Sequence, residues 1–351
     1  MKKKTLMVLV TTGLLIMAVG CSGKEKSENK TTEVTTEEIT EEVTTQAEEL
    51  EDEHEYLIEA TIDSAAIGNN LIDEDTVQNL LIYLPPSYYE SDKNYPVVYY
   101  LHGFGDYFGD YTRNNKATMD SYFEETGKEF IFVEVDGGNT PGGSYYVNSK
   151  VIGDWETYTT TEVVSYLDEN YRTIADRNSR GICGFSMGGF GAINLAFRHP
   201  DIYGAVYTMS PGIIAEGEMD IVLDSWENDT TFLTAYSMAF SYSETDPYTK
   251  IPTRDGSAED NAIIAEWENG YGNWEEKVDT YLALDNPLNA IGISYGSLDA
   301  YTWIPNGCIY FSDLMAQKDI EIDELEFTGG HMQAPVKDSI LPFFEENLTW
   351  E

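Results

Sequence analysis

Cysteine is scarce in this chain of 351 residues, with three in all and no Cys-x-x-Cys or mixed His/Cys cluster. That excludes a disulfide framework and leaves no spacing for a structural zinc site. Basic residues are scarce as well: 20 Lys and Arg stand against 63 Asp and Glu, a formal net charge of −43. Nonspecific nucleic-acid binding works by cationic groups displacing counterions, so that class is excluded. Adhesion to anionic lipid through surface charge falls on the same ground. Histidine, the usual proton carrier near neutral pH, occurs only four times. No apolar run reaches the roughly 18 residues of a transmembrane span. What is present suffices for a folded body: 42% hydrophobic and 13% aromatic residues exclude wholesale disorder. The length suits one large α/β domain with appendages, or two ordinary domains.

The N-terminus reads as an export segment. Lys2, Lys3 and Lys4 precede an apolar stretch from Leu6 to Val19, which ends in small residues and Cys21. A basic start, a short apolar core and small residues before a cut make a secretory signal over residues 1–20. Ala18-Val19-Gly20-Cys21 resembles the lipobox of bacterial lipoproteins, although Ala18 stands where leucine is usual. The resemblance implies lipidation of Cys21, an anchor in the outer face of the cell membrane and an extracellular body. From Ser22 to Glu55 there are 13 acidic residues, 3 lysines and no aromatic. Such a segment buries too little apolar surface to offset its ordering entropy, and its like charges extend it. Residues 21–56 are therefore expected to form a disordered acidic stalk, and residues 57–351 the folded domain.

In that domain strands and helices alternate. Residues 57–63 and 77–84 read as early strands, and Pro96–Leu101 and Glu129–Val135 as apolar runs buried on both faces of a sheet. Helical spacing follows over 156–170, then a strand at Arg180–Gly184 and a small-residue helix over Gly188–Arg198. Ala205–Met209, Leu288–Tyr295 and Ile320–Phe327 supply further strands, with helical patterns at 306–318 and 334–347. This order predicts an α/β fold, a mostly parallel central sheet flanked by helices.

Gly184-Phe185-Ser186-Met187-Gly188 is a Gly-x-Ser-x-Gly between a predicted strand and a predicted helix, the context of a nucleophile elbow. Small residues let the backbone turn sharply and leave the Ser186 hydroxyl exposed. The serine needs a base. His54 lies in the stalk, His102 at a strand end, and His199 beyond the elbow helix. His331, after the last predicted strand, is the one in the expected Ser, Asp, His chain order. Asp299, in the loop after the strand ending at Tyr295, is the candidate acid that holds the imidazole tautomer. Asp285 precedes that strand, at the wrong edge of the sheet, and Asp313 falls within a predicted helix. The turn His102-Gly103-Phe104-Gly105 follows the strand expected beside the nucleophile strand. There the Phe104 and Met187 amides are the candidate oxyanion donors. Gly103 lets the backbone approach the substrate carbonyl, and His102 orients the loop rather than taking protons; both are candidate substrate-binding residues.

Tyr95–Gly103, Gly184–Gly189 and His199-Pro200-Asp201 together resemble the putative-esterase family of α/β-hydrolases. It includes esterase D-type S-formylglutathione hydrolases, feruloyl and acetylxylan esterases, and mycolyltransferases. The resemblance spans about residues 57–347 and implies a serine esterase with no metal or organic cofactor. It also implies that Ser144–Ser149, and Tyr145 within it, lie near the active-site entrance as substrate-binding residues. Met332 and Gln333 follow the histidine where many relatives carry Asp and Trp. The segment from about 212 to 287, rich in aromatics, interrupts two core strands and is in position to cover the site. Its rings are expected chiefly to form the insertion's own core. The expected activity is that of an anchored extracellular serine carboxylesterase acting on acetyl or feruloyl esters of carbohydrate. The alternatives are an acyltransferase of the mycolyltransferase type and a non-catalytic surface binding lipoprotein.

Overall fold

The computed structural model describes residues 54–350. The signal over 1–20, Cys21 and nearly all of the 21–56 stalk lie outside the described residues. Tyr56 already joins the backbone pairing of the body: its carbonyl accepts the Leu84 N–H at 2.9 Å.

The sheet is entered by β1 (Leu57–Asp63), β2 (Val77–Tyr83) and β3 (Val97–Leu101). Next come α1 (Asp110–Thr126), β4 (Ile131–Val135) and a small hairpin of β5 (Asn148–Ser149) and β6 (Gly153–Asp154). A continuous helical stretch follows: α2 (Trp155–Thr157), a π-helical turn (Tyr158–Val163) and α3 (Val164–Asn170). Then come β7 (Arg180–Phe185), α4 (Met187–Arg198) and β8 (Ala205–Met209). Four helices build the insertion: α5 (Met219–Trp226), α6 (Thr230–Phe240), α7 (Ala258–Tyr271) and α8 (Trp274–Leu282). The chain finishes with β9 (Ala290–Gly296), α9 (Trp303–Gln317), β10 (Asp323–Phe327) and α10 (Ile340–Asn347).

Eight strands form one sheet in the order β1-β2-β4-β3-β7-β8-β9-β10. The pairs β1–β2 and β2–β4 are antiparallel, and every other pairing in the sheet is parallel. The central strands β3, β4, β7 and β8 are buried along their whole length, as their largely apolar runs require, with Glu134 of β4 and Arg180 of β7 the charged exceptions. β1 alternates half-buried and exposed residues, the pattern of an edge strand with one face on the core. Register aligns the carboxyl ends: Leu101 pairs with Gly184, Phe185 with Met209, Met209 with Ser294, and Gly296 with Phe327. The loops that follow β3, β7, β9 and β10 therefore meet along one edge of the sheet.

The helix α1 is not among the elements expected from the sequence. It buries only Tyr111, Thr112, Met119 and Phe123, too sparse a stripe to stand out against its polar residues. The expected helix over 334–347 begins only at Ile340, after a short 3-10 turn at Val336–Asp338. The β10 strand is shorter than expected and starts at Asp323. Among the described residues no helix is long and apolar enough to cross a membrane.

Candidate active site

Strand β7 passes straight into helix α4, and Ser186 occupies the junction with φ 54° and ψ −114°. A non-glycine residue pays for that backbone in strain, so it persists only where its surroundings fix it. The Ser186 N–H donates to the Met209 carbonyl at 2.9 Å, and its own carbonyl accepts from Phe190 at 3.0 Å and Gly212 at 3.2 Å. The neighbours must be glycine because of how close the chains run. A Cβ at Gly188 would stand 2.0 Å from the Leu101 carbonyl oxygen, and one at Gly184 would stand 2.1 Å from the Gly188 oxygen.

His331 arrives from the loop after β10 and Asp299 from the loop after β9. His331 Nε2 lies 2.9 Å from Ser186 Oγ, and Nδ1 lies 2.7 Å from Asp299 Oδ2. In the neutral ring with its proton on Nδ1, the imidazole donates to Asp299 and accepts from the serine hydroxyl. The Asp299 side chain is fully buried, while that of His331 keeps 22% exposure. The other Asp299 oxygen accepts the Tyr301 N–H at 2.8 Å, so the carboxylate is held on both sides. Asp299 does not cap α9, whose N-cap is Thr302. Two rings that the sequence reading did not single out flank the imidazole: Phe185 at 4.9 Å and Tyr301 at 5.4 Å between centroids.

The loop after β3 lies beside this relay. The Gly103 N–H donates to Asp106 Oδ2 at 2.9 Å, which closes a tight turn. Among the described residues, neither the Phe104 nor the Met187 N–H has a protein acceptor. Met187 opens α4, where the helix leaves its first N–H groups unpaired and its positive dipole end favours an anion.

His102 is buried, with 2% exposure. Its Nε2 accepts the Gly137 N–H at 2.9 Å, and Nδ1 lies 2.9 Å from the Gly103 carbonyl. The neutral Nδ1–H tautomer satisfies both bonds. Burial opposes charge on this ring, but the Asp136 carboxylate, 3.5 Å from Nε2, and the Gly103 carbonyl together outweigh it and raise the pKa from the ordinary histidine value. Through these two backbone contacts His102 ties the β3 loop to the β4 loop, and its ring also borders the cleft beside His331. Tyr145 lies beside the β3 loop, its ring centroid 6.1 Å from that of Phe104. It is fully buried, with centroids 5.4 Å from Tyr236 and 5.5 Å from both Phe240 and Tyr271, so it packs against the insertion. The adjoining Tyr146 hydroxyl donates to the His102 carbonyl at 3.1 Å.

Glu134 escaped the sequence reading, though an acid inside the apolar run of β4 was a visible signal. Its carboxylate accepts the Gly109 N–H at 2.8 Å, the Thr112 N–H at 3.0 Å and the Thr112 hydroxyl at 2.6 Å. Burial raises its pKa, and these three bonds hold it partly back. His199 is far from proton transfer to Ser186: it caps α4 and lies 2.7 Å from Glu156. Cys183 and Cys308 are free, buried thiols, and burial pushes both pKa values up. Among the described residues no group of three His, Cys, Asp or Glu side chains could hold a metal ion.

A mostly parallel sheet with a serine on a strained strand-to-helix turn, and later strand ends that deliver Asp and His to it, defines the α/β-hydrolase class. The chain belongs to the Putative esterase family, whose model matches residues 75–283. It is 34% identical over 125 residues to an esterase of Mycobacterium tuberculosis, a match that covers 34% of this chain and 25% of that protein. It is 27% identical over 143 residues to an endo-1,4-beta-xylanase/feruloyl esterase of Xylanibacter ruminicola, covering 39% of this chain and 20% of the other. The matches thus span a quarter or less of these relatives' length. Among solved structures, a ferulic acid esterase aligns with a TM-score of 0.54 at 23% identity, over 79% of this chain and 90% of that one, a likeness of fold.

Proposed function

We propose that the chain is a serine carboxylesterase that works through an acyl-enzyme. The observation that carries this reading is the continuous relay Ser186 Oγ, His331, Asp299, with spans of 2.9 and 2.7 Å at the carboxyl edge of the sheet. In this reading Ser186 Oγ attacks the ester carbonyl as His331 Nε2 takes its proton. Asp299 keeps the other imidazole proton on Nδ1 and stabilises the imidazolium. The Phe104 and Met187 amides, which no protein acceptor occupies, stabilise the tetrahedral oxyanion. His331 then returns the proton to the leaving alcohol, and water attacks the acyl-enzyme by the same route. None of these steps calls for a metal or organic cofactor.

Acetyl or feruloyl esters of carbohydrate are the proposed substrates. Family membership and the relative that bears a feruloyl esterase name support this choice. A signal over 1–20, a lipid anchor at Cys21 and an acidic stalk to residue 56 complete the proposal and place the domain outside the cell, where it meets polymeric substrate. Labelling by a serine-directed phosphonate, followed by a hydrolysis screen over acetyl, butyryl and feruloyl esters, tests the chemistry. Labelling that is lost in Ser186→Ala supports the reading, whereas equal labelling of the variant overturns it. Release of the protein from the membrane fraction by Cys21→Ser tests the anchor.

A further inference from the structure

Next to His331 opens a cleft of about 370 Å³ that the relay itself does not use. One wall is the turn and first helical turns after β3, with Asp106, Tyr107, Asp110 and Asn114. The opposite wall is the loop after β10, with Met332 and Gln333. The floor is a ring pair: Tyr100 stacks on Tyr111 at 4.1 Å and 10°. The lining is rich in free acceptors. Asp106 uses only Oδ2 on the Gly103 N–H, and no side-chain bond is recorded for Asp110 among the described residues. Asn115 donates Nδ2 to the Tyr111 carbonyl, and Gln333 donates Nε2 to the Tyr100 hydroxyl at 2.8 Å. In both amides the oxygen remains available. Tyr107 stands 81% exposed at the rim, a flat apolar face beside these acceptors. Buried Glu134 lies below, and no lysine or arginine lines the cleft.

We propose that this cleft is the leaving-alcohol subsite and that it takes a neutral polyhydroxylated alcohol, a sugar, in preference to an anionic one. This rests on the esterase reading. His331 hands its proton to the leaving oxygen, so the alcohol departs beside that ring, and this cleft borders it. Carboxylates and amide oxygens accept from sugar hydroxyls, and an exposed tyrosine ring suits the apolar face of a pyranose. The same carboxylates repel an alcohol that carries its own carboxylate, since like charges brought together in a partly dry cleft are costly.

The test uses four esters of one acyl group, acetyl or feruloyl, on methanol, the 6-position of a neutral hexose, choline and glycolate. Wild-type kcat/KM is expected to be at least about tenfold higher for the hexose ester than for the methyl ester, and lowest for the glycolate ester. Asp110→Asn combined with Asn114→Ala is expected to lower the hexose-to-methyl ratio by about tenfold. Asp110→Asn alone is expected to narrow the gap between the methyl and glycolate esters. Both residues are exposed, so the variants are expected to fold. Equal rates on hexose and methyl esters, or an unchanged ratio in the double variant, overturn the subsite and leave the esterase standing. A choline ester preferred over the hexose ester overturns it in favour of a cation site. A wild type inactive on every ester overturns the esterase reading and the subsite together.

Discussion

The elbow and the insertion solve opposite packing problems. Two residues to either side of Ser186 there is no side chain at all, because backbone runs against backbone: Gly184 and Gly188 sit where a Cβ would press to about 2 Å on carbonyl oxygens. In the insertion the side chains are the largest available. Trp226, Tyr236, Trp267, Tyr271 and Trp274 are each 3% exposed or less. Their rings pack on one another and on the body: Tyr236 and Tyr271 lie 5.1 Å apart, and Tyr271 meets Phe190 of α4 at 4.4 Å. The elbow is thus defined by hydrogen bonds and strain over a few residues, and the insertion by dispersed apolar burial. Damage to the first is expected to fall on rate, and damage to the second on stability.

The sharpest test of that contrast is the relay. Ser186→Ala and His331→Ala are expected to remove nearly all turnover, and Asp299→Asn to cost on the order of 10⁴-fold in kcat by favouring the wrong imidazole tautomer. Unfolding curves are expected to stay close to wild type. Near-normal turnover of folded Asp299→Asn would show that another residue serves as the acid.

Tyr271→Ala probes the other region. Removing a buried aromatic of this kind costs about 3–5 kcal/mol. Urea unfolding followed by tryptophan fluorescence is expected to show one transition at lower denaturant, because Tyr271 joins insertion and elbow helix. Two separated transitions would mean that the insertion unfolds alone, and the contrast would then be between two cooperative units.

His102→Ala lies between the regions, since the ring supports the oxyanion loop without touching the relay. Loss of a donor itself costs about 10²–10³-fold, and loss of its support is expected to cost about 10- to 100-fold in kcat with little change in KM. A rise in KM alone would mark His102 as a substrate contact.

The smallest effect concerns Glu134 and pH. Its folded pKa is raised by burial, so the folded state holds a proton where the unfolded chain is still ionised. Stability from this group is fully present below the ordinary carboxylate range and is lost as pH rises through the folded value. Glu134→Gln cannot titrate, and its amide meets the Thr112 N–H with a donor, a mismatch that costs about 1–3 kcal/mol. The stability gap between wild type and variant is therefore expected to widen as pH falls from neutral toward that range, read by thermal unfolding at several pH values. A gap that narrows on acidification would assign the opposite shift.

The residues of the relay were nameable in advance because each carried a local mark. Ser186 stood between glycines at a strand-to-helix change, and His331 was selected by eliminating the stalk, strand-end and post-helix histidines. Asp299 followed a strand of the right polarity. The burial of Tyr145 was not legible, because Tyr145 and Tyr146 adopt left-handed backbone, each with φ 54°, that no spacing in the sequence announces. Helix α1 went unseen because its buried stripe is sparse. Glu134 was visible as an acid in an apolar strand, but its partners, Gly109 and Thr112, come from a different element.

By itself, then, the sequence determined the strand-and-helix alternation, the elbow and the chain order of serine, acid and base, since these depend on period, small residues and position along the chain. Only the tertiary structure decided the rest: which loops share the carboxyl edge, the 2.9 and 2.7 Å spans from Ser186 to His331 and from His331 to Asp299, the burial of Tyr145 and the acidic cleft beside His331. The physical reason is range. Turn geometry and periodicity act over a few residues and are written locally, whereas a hydrogen bond between residues 145 positions apart exists only once the whole sheet has set its register.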